Sequence, residues 1–78
     1  MATMHEQHLL LADQHIMDAE ARVTRQRLLI GKLAADGHDT AKAEALLATL
    51  LKALNGMWAH RATILAEIAA ERGKPAAP

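Results

Sequence analysis

Apolar residues return at three- and four-residue steps along most of the chain, and that spacing is the period of a helix face. Leu9, Ala12, Ile16, Ala19, Val23, Ile30 and Leu33 form one stripe; Ala43, Leu47, Leu50, Leu54, Met57, Ile64 and Ile68 form a second. Leu46, Leu51, Trp58 and Leu65 widen the second stripe beyond one contact line. Between the stripes lies Ala35-Asp36-Gly37-His38-Asp39-Thr40, which reads as a helix stop followed by a helix start. Gly37 can take the left-handed conformation that ends a helix without a Cβ clash. Asp39 or Thr40 then offers a side-chain oxygen to the free N–H groups opening the next helix.

The outer ends carry signals too. Thr3 and Glu6 have the spacing of a capping box, in which each side chain bonds the other's backbone N–H. No Pro interrupts the chain before Pro75, and Gly73 marks the second helix end. Gly31 costs about 1 kcal/mol relative to Ala but does not break the first stripe. Asn55-Gly56 resembles a turn signal, yet the second stripe runs through it in phase, so that helix is read as continuous. The expected organisation is one unit over 1–78: a helix over about 4–36, a turn at 37–39, a helix over about 40–72 and a frayed tail at 73–78. The fold class is therefore all-α, a two-helix antiparallel hairpin, each arm ~50 Å long at 1.5 Å per residue.

Size changes this picture. At 78 residues, two helices share one contact line, and a core that thin needs support from disulfides, metal or a partner. Cys is absent, which removes disulfides and thiolate metal sites and is compatible with a reducing compartment. Apolar residues are also left over. Leu10, Met17 and Leu28 lie well off the first stripe at about 100° per residue. Leu51 and Trp58 extend the second. Together these five are the candidate interface, closing a homodimeric four-helix bundle or docking another helical protein. Trp58, the sole aromatic, is the best anchor among them.

Charge excludes some partners and leaves others. Nine Lys and Arg balance nine Asp and Glu, so no global field draws the chain to nucleic acid or acidic lipid. Arg22, Arg25 and Lys32, with Arg27, concentrate positive charge near the turn and are the candidate RNA contacts. They point in several directions and have no aromatic neighbour for base stacking, which favours a solvated charged face. No apolar run approaches the roughly 20 residues of a membrane span. The N-terminus lacks a signal-peptide pattern, and the expected location is cytoplasmic.

Five histidines are the remaining chemistry. In a hairpin closed at Gly37, His15 comes level with His60, and His8 with Glu67. Those four are a candidate zinc-type ligand set, with His5 a further candidate. No known metal motif is matched, so histidines at the edge of a helical interface are the favoured reading; charging them together would oppose close packing there. Gln26 and Arg61 interrupt the stripes and read as register-fixing polar residues, with Asp13 or Asp18 level with Arg61. Catalysis has no support. Ser and Cys are absent, and His5-Glu6-Gln7-His8 lacks the spacing of a zinc-protease helix. No cofactor motif is present, and the chain is read as non-enzymatic.

Arg25-Gln26-x-x-Leu29-Ile30-x-x-Leu33, then Asp36-Gly37-His38-Asp39-Thr40, then Ala43-x-x-Leu46-Leu47-x-x-Leu50 and Arg61-x-x-Ile64 resemble a group of short proteobacterial helical-hairpin proteins. These share an Arg-Gln…Asp-Gly-x-Asp-Thr pattern, and the likeness covers the central two-thirds of the chain. It implies a shared hairpin and brings no activity or functional residue with it. In architecture alone the chain is similar to plasmid copy-number regulators that dimerise as hairpins and bind paired RNA loops.

Overall fold

A computed structural model describes residues 3–73. Two helices, α1 (Met4–Ala35) and α2 (Ala41–Arg72), pack against each other along their length. Lys74 to Pro78, expected to fray, lie outside the described residues.

Each end of the hairpin is built by the residues that signal it. Thr3 Oγ1 accepts from the Glu6 N–H at 3.1 Å, and Glu6 Oε2 accepts from the Thr3 N–H at 3.2 Å, completing the capping box. At the other end of α1, Gly37 takes φ +78. That turn lets the His38 N–H reach the Leu33 carbonyl at 2.9 Å and the Gly37 N–H reach the Ala34 carbonyl at 3.1 Å. The pair of bonds is a Schellman motif, and it satisfies carbonyls the helix leaves open. Asp39 then accepts from the Ala41 N–H at 2.9 Å, opening α2. Thr40 occupies the cap position without capping; its hydroxyl donates to Glu44 at 3.2 Å instead.

Gly73 caps α2 at its C-terminal end, as its sequence position signals. It keeps a right-handed φ of −83, and its N–H bonds back to the Ala69 carbonyl at 2.9 Å. The last turn of α2 therefore closes on itself and needs no left-handed residue.

The core is thin and lopsided. Ala12, Ile16, Ala19 and Val23 of α1 are buried, but of α2 only Ile64 is. Leu47, Leu50, Leu54, Met57 and Ile68 are half-buried. Small alanines on α1 let the large side chains of α2 come close, yet one partner helix is too narrow to cover them. Gly31 and Gly56 sit inside the helices, and a Cβ at either would meet no atom within 4 Å, so neither marks a break or a close approach.

Two polar residues sit within this core line. Gln26 is 8% exposed and donates from Nε2 to the Ala43 carbonyl at 2.8 Å. Arg61 bonds Asp13 across the seam, which settles its partner as Asp13 and not Asp18. No described helix is long and apolar enough to cross a membrane.

Candidate functional site

The seam between α1 and α2 has two sides, and their chemistry differs. On the first side, Arg61 leaves the seam to reach Asp13 and lies 5.8 Å from the Trp58 ring centre. A guanidinium over an indole face is attracted by the ring quadrupole, worth about 0.5–1 kcal/mol at an exposed site. Arg72 bonds Glu6 at 3.3 Å, a second cross-helix ion pair. Both acidic partners are thus neutralised within the hairpin. Leu51, Trp58 and Leu65 follow one another at heptad steps down this flank of α2 and are 37%, 47% and 40% exposed.

The other three candidate interface residues sit apart from that flank. Leu10, Met17 and Leu28 lie on the outward stripe of α1 and are each more than half exposed. At 100° per residue, Leu10, Met17 and Leu28 point within about 20° of one another, leaning toward the Asp13 side, and Leu28 is set apart from the other two by lying nearer the turn. The five residues form two stripes and not one patch.

The opposite side of the seam is an open trough. Three hollows of about 260, 340 and 250 Å³ line up along it. They share Arg22, Leu50 and His15 between neighbours, so the trough is continuous. Leu29, Leu46, Leu50 and Met57 give it an apolar floor, and Arg22 and Arg25 stand on its α1 rim. Toward the open end of the hairpin it passes between His8, His15 and His60.

Those three histidines line one hollow, but Glu67, the fourth member of the candidate set, is not with them. Glu67 is drawn instead to His5, whose Nε2 lies 3.2 Å from it. His5 Nδ1 also meets Glu71 at 2.9 Å, so one imidazole spans two carboxylates on successive turns of α2. Among the described residues no three His, Asp or Glu side chains are arranged to hold a metal ion. Of the candidate RNA contacts, Arg22 and Arg25 stand on the trough, whereas Lys32 does not line it.

The trough is the feature that sequence reading missed. Its signal was present: His8, His15, Arg22 and Leu29 recur at heptad spacing immediately before the stripe positions Leu9, Ile16, Val23 and Ile30. Mixed polarity hid the line, because two histidines, an arginine and a leucine do not register as one face. Leu11, Leu29 and Leu46, all 44% exposed or more, belong to this side and were not among the expected interface residues.

Compared with protein-family models, curated proteins and solved structures, the chain shows no match.

Proposed function

We propose that the chain is a non-enzymatic helical interaction module that pairs with a second copy as a four-helix bundle. The observation that carries this reading is the flank of Trp58: a large aromatic, 47% exposed, held in line between exposed Leu51 and Leu65. Among the described residues the core of one hairpin supplies five buried apolar side chains, and a cysteine-free scaffold of this size gains support from pairing. Cross-helix ion pairs already partner Asp13 and Glu6 on this side, so those two carboxylates do not oppose a second copy approaching Trp58. Leu10 and Met17 extend the contact onto α1, and Leu28 lies at its margin.

The test is the self-association constant of two variants. Trp58→Ala weakens pairing at least tenfold, as expected for an anchoring aromatic. Leu28→Ala changes it much less. Equal and negligible losses would remove Trp58 from this role.

A further inference from the structure

The trough opposite Trp58 lies outside this pairing and has a chemistry of its own. We propose that it seats an amphipathic helix of a partner protein, apolar on its buried face and acidic along its flanks. The shape fits a helix. The trough runs from the level of His8 to that of Leu29, about 30 Å at 1.5 Å per residue, or five to six turns of a third helix. The floor of Leu29, Leu46, Leu50 and Met57 calls for aliphatic side chains at i, i+3, i+4 and i+7.

Charge selects among helices. The whole chain has formal net charge zero, yet Arg22 and Arg25 line the trough against a single acidic residue, Asp18. His8, His15 and His60 add donors along the same line. Acidic flanks on the incoming helix complement this rim, and basic flanks are repelled by it. A second copy offered through the same side brings mostly basic groups against basic groups. RNA supplies phosphates for the arginines but no aliphatic surface for the floor. The one aromatic residue that could stack on bases lies across the seam, beneath Arg61.

Two synthetic peptides of about 20 residues, long enough to fill the trough as a helix, test this. Both carry the same leucine stripe; one has Glu on its flanks and the other Lys. Each is titrated into the ¹⁵N-labelled full chain and followed by NMR, with an RNA hairpin titrated separately. The Glu peptide shifts the resonances of Arg22, Leu46, Leu50 and Ala53 and leaves Leu51 and Trp58 in place, while the Lys peptide binds at least tenfold more weakly. Arg22→Glu combined with Arg25→Glu lowers affinity for the Glu peptide at least tenfold at unchanged helical content and solution mass. Equal binding of both peptides, no binding of either, or shifts centred on Trp58 would overturn the assignment. So would RNA binding that displaces the Glu peptide. Loss of a dimer in the double variant would give the trough to a second copy instead.

Discussion

Gln26 donates from its side-chain amide to the Ala43 carbonyl at 2.8 Å, tying the last third of α1 to the first turn of α2. A carbonyl there is already committed to its own helix, and its second lone pair takes the amide. Because Gln26 is buried and the bond is directional, only one sliding position of the two helices satisfies it.

Replacement of Gln26 separates stability from register. Gln26→Ala costs about 1–2 kcal/mol, through the lost bond and the space left behind. Gln26→Leu keeps the volume apolar and changes unfolding free energy by less than about 1 kcal/mol. Its ¹⁵N spectrum, however, shows doubled or broadened resonances near Ala43. Chemical denaturation and NMR on the two variants check both statements; a single sharp spectrum for Gln26→Leu would deny the residue a role in register.

The glycines divide by conformation. Gly37 sits at φ +78, so Gly37→Ala strains the turn and destabilises by about 1–2 kcal/mol. Gly56 is helical, and a Cβ there meets nothing within 4 Å. Gly56→Ala therefore stabilises by up to about 1 kcal/mol through helix propensity. Thermal unfolding should move the two variants in opposite directions.

Arg61 and Asp13 are both partly exposed, at 29% and 43% of their side chains. A double-mutant cycle with Arg61→Met and Asp13→Asn then yields a coupling below about 1 kcal/mol in the dissociated hairpin, smaller still in high salt. At concentrations where two copies pair, this side is shielded from water and the coupling rises; the same small coupling at both concentrations would show that pairing leaves the side open.

His5 spans Glu67 and Glu71 at the open end. His5→Ala removes both contacts and increases amide exchange in the last two turns of α2, with little change near the Gly37 turn. Hydrogen exchange read residue by residue checks this, and uniform acceleration would show that the clasp acts on the whole hairpin.

The parts of this architecture that were legible in the sequence are those that need only local chemistry. Gly37 followed by Asp39 marks a reversal because a positive φ and a capping oxygen are demanded within a few residues. The stripes from Leu9 to Leu33 and from Ala43 to Ile68 need only helical period. What was not legible depends on register at the level of a single residue. Asp13 and Asp18 were both level with Arg61, and side-chain reach decides between them. The Ala43 carbonyl has no sequence signature at all, so Gln26 could be seen as an interruption but not as a clasp. Glu67 was expected beside His8 and is held by His5, because two carboxylates one turn apart bracket that imidazole. The trough required both helices at once, since its rim comes mostly from α1 and its floor mostly from α2.

The central claim is that one hairpin is not the finished molecule. Size-exclusion chromatography with multi-angle light scattering, run on the full chain at several concentrations, tests it most directly. The account predicts a mass twice the 8.4 kDa of one chain, held across the range and falling toward one chain only on strong dilution. A folded species of 8.4 kDa at every concentration would contradict it.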